Sequence, residues 1–122
     1  DYGTGNGDSV DYPDFAVKVA GAVSRGEAQL GVLVCGTGIG MSITANKFPG
    51  VRAALATDEF MAQMAKEHNN ANILVLGGRV LSEESAVKMM NVWLDSEYEG
   101  GRHQRRLDKI TQVEADVRAG KL

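Results

Sequence analysis

The stretch from Gly31 to Gly40, GVLVCGTGIG, constrains the fold more than any other part of the chain. A short apolar run, Val32 to Val34, ends at Cys35, and Gly36, Gly38 and Gly40 follow with Thr37 and Ile39 between them. MSITANKF then reads as a helix. A strand, a glycine loop and a helix start form one physical device. Glycine lets the backbone turn tightly and approach a ligand, because no Cβ stands in the way. The loop amides and the first N–H groups of the helix lack partners inside it. They face outward, where the helix dipole also favours negative charge. The stretch therefore offers an anion site with a thiol at its lip.

The pattern narrows the kind of anion site. No Gly-Lys-Ser/Thr ends the loop, so it is not a P-loop. A dinucleotide fingerprint needs glycine where Met41 stands, although Asp58 follows the next strand about where a ribose-binding acid belongs. Pattern alone leaves Cys35 two readings. One is a small buried hydrophobe at a strand end. The other is a reactive thiol, since open α/β sheets place their chemistry at strand carboxyl ends and a helix N-terminus lowers a thiol pKa.

The rest of the chain alternates strand and helix signals. Asp1 to Asp11 is polar and glycine-rich and reads as a loop. Pro13 suits the first turn of a helix that carries Phe15, Val19, Ala22 and Val23 and stops at Gly26. Gly31 to Cys35 is the first clear strand, and its near-continuous apolar run predicts burial on both faces. The helix after the loop covers 41–48 and stops at Pro49-Gly50. A strand follows over 51–56. Thr57 is placed to cap a helix over 58–68, with Phe60, Met61, Met64 and Ala65 inward. Ile73 to Leu76 is a third strand. Ser82 caps a helix over 83–94 whose inner face is Ala86, Met89, Met90 and Trp93. A last helix runs over about 102–119, lined by Leu107, Ile110, Val113 and Val117. Alternating strands and helices predict a single α/β domain over 1–122 with a parallel sheet.

Composition excludes several classes. The net charge of −3 implies no general affinity for nucleic acid or membrane. No apolar run approaches the length of a membrane span and no signal peptide is visible. One cysteine forbids an internal disulfide and points to a reducing, cytoplasmic setting. The two histidines and the cysteine are widely spaced and match no zinc pattern, so no metal is expected.

Other residues with chemical potential lie apart from the loop. His68 ends a helix. It reads either as a surface histidine complementing the dipole or as a general acid near neutral pH. Asn69 beside it offers an amide for a hydroxyl. Arg102 and Arg106 share a face at the start of the last helix, where cations oppose the dipole and need a reason. With Arg105 they form a cluster suited to a phosphate, or to pairing with Glu97 or Glu99. Arg79, after the third strand, is a candidate for the same anion. Tyr12 offers a hydroxyl or packs on Pro13.

VDYPDFA, VCGTGIGMSITANKFPGVRAAL, EHNNANILVLGGRV and YEGGRHQRR together resemble the ribose-5-phosphate isomerase B family, which includes the galactose-6-phosphate isomerase subunits. The resemblance implies a Rossmann-like three-layer α/β/α sandwich. It implies dimers or tetramers with shared active sites, and no metal or organic cofactor. The implied activity is an aldose–ketose isomerase acting on a sugar phosphate in pentose phosphate metabolism. Position by position, Cys35 resembles the family's proton-abstracting base, and Thr37 the residue assisting at the reacting oxygens. Gly36, Gly38, Ile39 and Gly40 resemble the loop that holds the enediolate. His68 resembles the acid that opens the sugar ring, with Asn69 beside it. Arg79, Arg102 and Arg106 resemble the phosphate contacts, and Tyr12 lies in the family's DYP motif. Cysteine, histidine and arginines stand in one chain here, which resembles the ribose enzyme more than the divided galactose-6-phosphate subunits.

The resemblance departs at the front. The family begins with a strand ending in an Asp-His pair, then a helix and a second strand, and DYGTG aligns with the end of that second strand. The sequence is therefore read as N-terminally truncated by one strand–helix–strand unit, with an apolar sheet edge expected in consequence. The alternatives to a ribose-5-phosphate isomerase are an isomerase of allose or galactose 6-phosphate, a non-catalytic sugar-phosphate-binding or assembly subunit, and a dinucleotide-binding module.

Overall fold

A computed structural model describes residues 1–122. The elements are α1 (Tyr12–Ser24), β1 (Gly31–Cys35), α2 (Ile39–Ala45), β2 (Ala53–Leu55), α3 (Glu59–Glu67), β3 (Ile73–Gly77), α4 (Glu83–Asp95) and α5 (Arg102–Arg118). Residues ahead of α1 form neither helix nor strand.

The strands make one parallel sheet in the order β1-β3-β2. Gly31 pairs with Ile73 and Cys35 with Gly77 across β1 and β3, and Ala53 pairs with Ile73 across β2 and β3. The central strand is the last in sequence. Its five residues, ILVLG, are all buried, the expected pattern for a parallel strand covered on both faces. Alternate side chains feed two cores, because strand side chains point to opposite faces. Ile73 and Val75 pack with Ala16, Ala20, Leu33, Met41 and Ala45, beneath α1 and α2. Leu74 and Leu76 pack with Ala62, Ala65, Met89 and Trp93, beneath α3 and α4. Helices on both faces of a parallel sheet make the three-layer α/β/α sandwich expected from the sequence.

The two helix layers differ in the size of their contacts. On α1, Ala16 and Ala20 are fully buried and bring the helix backbone close to the sheet. On the other face Ala62 and Ala65 of α3 sit against Met89 and Trp93 of α4. The Lys66 ammonium lies 4.6 Å from the centroid of the Trp93 ring. Burial lowers the pKa of that ammonium, and the ring face offers it compensating attraction.

Several sequence expectations require correction. β1 is not buried on both faces: Leu33 is buried, but Val32 and Val34 are exposed, Val34 by 53%. It has one strand neighbour, and α3 and α4 do not extend over it. Phe60 and Met61 do not face inward; Phe60 is 68% exposed. They precede the stripe set by Ala62 and Ala65, and the small alanines decide which face meets α4. Asp58, not Thr57, caps α3, accepting the Met61 N–H at 2.8 Å. β2 is shorter than 51–56, and α2 starts at Ile39, inside the glycine loop. On α5 only Leu107 of the apolar line is buried, while Ile110, Val113 and Val117 are exposed. Ser82 caps α4 as expected, taking the Ser85 N–H at 3.1 Å.

These burial patterns separate two apolar substitutions. Ile73→Ala removes a fully buried side chain and is expected to cost about 2–5 kcal/mol. Phe60→Ala is expected to stay within about 0.5 kcal/mol. Denaturant unfolding of both variants checks this, and equal losses would contradict the orientation of α3.

Candidate active site

Cys35 ends β1 at the carboxyl edge of the sheet and is half-buried. The chain turns back over it at once. The Gly38 N–H points at the Cys35 Sγ, 3.2 Å away, and the Ile39 N–H donates to Thr37 Oγ1 at 3.3 Å. Gly38 is the N-cap of α2 with φ +83°, a left-handed conformation that glycine adopts without a Cβ penalty. A Cβ there would also meet Leu55 Cδ1 at 2.6 Å and the Leu76 carbonyl at 3.1 Å. The N–H groups of Gly36 and Thr37 have no acceptor within the chain. They remain available to an oxyanion beside the thiol.

The end of β3 buttresses the loop. Gly78 N–H donates to the Cys35 carbonyl at 2.7 Å, and Arg79 N–H donates to the Gly36 carbonyl at 2.9 Å. These bonds bring Arg79 over Gly36, whose ideal Cβ would lie 3.3 Å from Arg79 Cδ. Gly77 faces Thr37 so closely that a Cβ would meet its carbonyl oxygen at 2.7 Å. On the other side the Tyr12 ring rests on Gly40, and a Cβ at Gly40 would meet the Tyr12 hydroxyl at 2.6 Å. Tyr12, the 35–40 loop and Arg79 therefore form one constellation. Arg79 forms no ion pair in the chain.

His68 lies elsewhere. It caps the C-terminus of α3, just before the turn that enters β3, so it stands at the amino edge of the sheet. The strand β3 separates that edge from the thiol by four rises of about 3.3 Å, roughly 13 Å. The turn between assigns distinct work to its asparagines. Asn70 takes the left-handed conformation, φ 46°. Asn72 binds Arg52 N–H at 2.7 Å and the Gly50 carbonyl at 2.9 Å. Asn69 is exposed and its side chain bonds to nothing in the chain.

A second constellation surrounds His68. Its ring stacks on His103 with centroids 4.1 Å apart and planes inclined by 16°. Glu99 Oε2 lies 3.8 Å from His68 Nε2 and 3.6 Å from His103 Nε2. The Glu99 N–H donates to the Glu67 carbonyl at 2.9 Å, anchoring this loop to the end of α3. Gly100 and Gly101, with φ of 68° and 58°, turn the chain from that loop into α5. Burial, followed by the charges of His68 and Arg102, pushes the His103 imidazole below its ordinary pKa. Arg102 and Arg106, exposed on the first turns of α5, pair with no carboxylate. Glu99 serves the histidines instead, so pairing with Glu99 does not account for the arginines.

The structure thus brings Tyr12, Cys35, Thr37 and Arg79 together at one edge, and His68, Asn69, Arg102 and Arg106 at the other. Within one chain the two sets do not meet. His103, and the contact of Glu99 with both histidines, were missed by sequence reasoning. Their i, i+4 spacing was visible, but the stack of His103 on His68 joins residues from separate helices and needs the fold. The two histidines, far apart in sequence, stand side by side in the fold. Asp58 is spent as a helix cap, which removes the ribose-acid reading of that residue.

Comparison with known proteins places this geometry in context. The family described as Ribose/Galactose Isomerase matches residues 1–110. The chain is 46% identical over 114 residues to Escherichia coli ribose-5-phosphate isomerase B, covering 93% of this chain and 76% of that protein. It superposes on Clostridium thermocellum ribose-5-phosphate isomerase B with a TM-score of 0.93 and 51% identity, over 95% of this chain and 78% of that one. It also superposes on the Mycoplasma genitalium ribose-5-phosphate isomerase B solved with bound ribulose-5-phosphate, with a TM-score of 0.90 and 44% identity, over 93% of this chain and 76% of that one.

The packing of Gly77 on the loop is directly testable. Gly77→Ala forces a methyl group against the Thr37 backbone and is expected to cost about 1–3 kcal/mol. Gly5→Ala meets nothing within 4 Å and should leave the melting temperature unchanged. Thermal unfolding of the two variants compares them, and an unshifted Gly77→Ala would refute the buttress.

Proposed function

The chain belongs to the ribose/galactose isomerase family, and we propose from that membership how its residues divide the work of an aldose–ketose isomerase. The reaction interconverts ribose 5-phosphate and ribulose 5-phosphate by moving a proton between two carbons through an enediolate. The observation that carries this reading is the Cys35 thiol, set at a strand carboxyl end against free loop amides in a chain this similar to ribose-5-phosphate isomerases B.

Each step has a residue suited to it. The sugar phosphate is cyclic when it binds, so the bond from C1 to the ring oxygen must break, with an acid protonating the ring oxygen as the anomeric hydroxyl gives up its proton to become the aldehyde; His68 is assigned the role of that acid, with Asn69 holding a hydroxyl. The Cys35 thiolate then takes the C2 proton of the aldose and returns it at C1. Meanwhile a hydroxyl proton moves between the two oxygens. Charge developing on those oxygens is met by the Gly36-to-Gly40 loop amides and Thr37. Donors already aimed at the developing charge need no reorganisation as it forms. Arg79, Arg102 and Arg106 clamp the phosphate, supplying charge-assisted contacts that fix the sugar over the thiol. Tyr12 closes the loop's side. No cofactor enters this scheme.

The separation of the two constellations supports a site shared between chains. We place the thiol of one protomer against the His68 edge of another, in a homodimer or a tetramer built from such dimers. The bare stripe of Ile110, Val113 and Val117 on α5 is suited to that contact. Its own body holds α5 through Leu107 and His103 and through Glu114, whose carboxylate takes the Gly50 N–H at 3.0 and 3.2 Å. No helix is long and apolar enough to cross a membrane, and the single cysteine supports a cytoplasmic setting.

Two measurements test the assignment. Cys35→Ala is expected to abolish both turnover and exchange of the substrate C2 proton with solvent, while phosphate binding persists through the arginines. Exchange that continues in this variant removes Cys35 as the base. Mixing inactive Cys35→Ala and His68→Ala chains is expected to restore part of the activity, because one of the two shared sites in a mixed dimer is intact. Verified mixed dimers without activity would put both residues in one chain's site.

A further inference from the structure

We propose that Glu99 is a positioning residue: its carboxylate is the counter-charge that keeps a proton on His68 beside the arginines of α5, and the His103 ring is the surface on which that imidazole is held. This rests on the reading of His68 as the ring-opening acid.

The geometry carries it. One oxygen, Glu99 Oε2, stands 3.8 Å from His68 Nε2 and 3.6 Å from His103 Nε2. The rings lie nearly parallel, inclined by 16° with centroids 4.1 Å apart. They present their Nε2 atoms side by side, and a single carboxylate at that edge reaches both. Hydrogen bonds from N–H to oxygen run to about 3.2 Å, so the contact is one of charge. The backbone puts Glu99 there. Its N–H donates to the carbonyl of Glu67, the residue before His68, at 2.9 Å. Gly100 and Gly101 then turn the chain into α5 through positive φ angles. Glu99 makes no ion pair except with these two rings.

The charges around the stack explain why a carboxylate is needed. Arg102 and Arg106 stand on the first turns of α5 and pair with no carboxylate. Their field, together with the positive end of the helix dipole, works against a proton on the rings. On α3, Lys66 is turned to the Trp93 ring and Glu67 accepts from the Gln63 amide. Burial, His68, Arg102 and Arg106 all act against a proton on His103, and Glu99 alone acts for it. The proton that the stack carries is therefore left to His68, the more exposed ring. One proton on the pair also avoids like-charge repulsion between stacked rings. Glu99 thus lets a cationic acid and an arginine clamp for phosphate stand on the same edge.

Glu99→Gln tests this, because glutamine keeps the backbone bond and the shape and removes the charge. Ribose 5-phosphate is closed in solution and needs the acid. Ribulose 5-phosphate is open, since its fifth oxygen carries the phosphate, so exchange of its C1 protons with solvent needs the thiol and not the acid. Glu99→Gln is expected to lower kcat on ribose 5-phosphate by about ten-fold, part of the roughly 10²–10⁴-fold that a general acid contributes. KM should not rise, and ribulose 5-phosphate exchange should be unchanged. Glu99→Asp, which keeps the charge, should recover part of kcat. Unchanged turnover in Glu99→Gln overturns the proposal. Equal loss of turnover and exchange marks damage to the whole site, and a raised KM with unchanged kcat assigns Glu99 to the phosphate clamp; either overturns it too. The proton is also read directly. The chain holds two histidines, so His68→Ala assigns both rings in an NMR titration of the imidazoles. Removing a negative neighbour disfavours a cation, so Glu99→Gln should move protonation of His68 to lower pH. If the parent turns over no sugar, the isomerase reading fails and this titration still decides the counter-charge: an unmoved His68 titration in folded Glu99→Gln overturns it.

Discussion

Both ends of the chemistry hang on β3. It is the strand with neighbours on both sides and helices on both faces, and all five of its residues are buried. Ile73 and Val75 hold one core while Leu74 and Leu76 hold the other. Its carboxyl end continues into Gly77, Gly78 and Arg79, which pack on or bond to the thiol loop. Its amino end is entered through the asparagine turn that follows His68. Because a parallel strand paired on both sides cannot slip by one residue without turning its apolar set around, both constellations inherit a fixed register.

The thiol loop shows why its glycines are spaced as they are. Gly38 turns with a positive φ where Leu55 and Leu76 leave no room for a Cβ, and Gly40 lets the Tyr12 ring lie against the backbone. Across the strands Gly77 lets the Thr37 backbone close down. Small residues on both sides of the contact let the backbone of the loop reach the sheet edge. The thiol and the free amides are thereby presented together. The alternating glycines in this loop are a packing requirement.

The arrangement at the other edge follows from electrostatics. Three cationic or potentially cationic groups, Arg102, Arg106 and His103, gather at the start of α5, where the helix dipole disfavours positive charge. Glu99 is drawn to the two histidines, leaving both guanidiniums unpaired. An unpaired cationic pair at a helix N-terminus is an arrangement that a bound phosphate would relieve. The exposed apolar stripe of Ile110, Val113 and Val117 lies farther along the same helix.

The sequence by itself determined the elements and the chemistry each could carry. The apolar ILVL run, the glycine loop after Cys35 and the Ser82 cap follow from local propensity and backbone sterics, which neighbours in sequence control. Motif order was enough to identify the family through VCGTGIG, EHNNANIL and YEGGRHQRR. Tertiary structure decided which strand lies in the middle, because a parallel sheet is ordered by crossovers rather than by sequence. It also decided that Phe60 faces solvent, since the alanines of α3 and their fit to Trp93 outweigh the pull of one large side chain. The two-edged division of the site and the stack of His68 on His103 were likewise out of reach of spacing rules. Those contacts join separate helices across the body of the domain, and only the packing of α3 beside the start of α5 brings them within 4.1 Å.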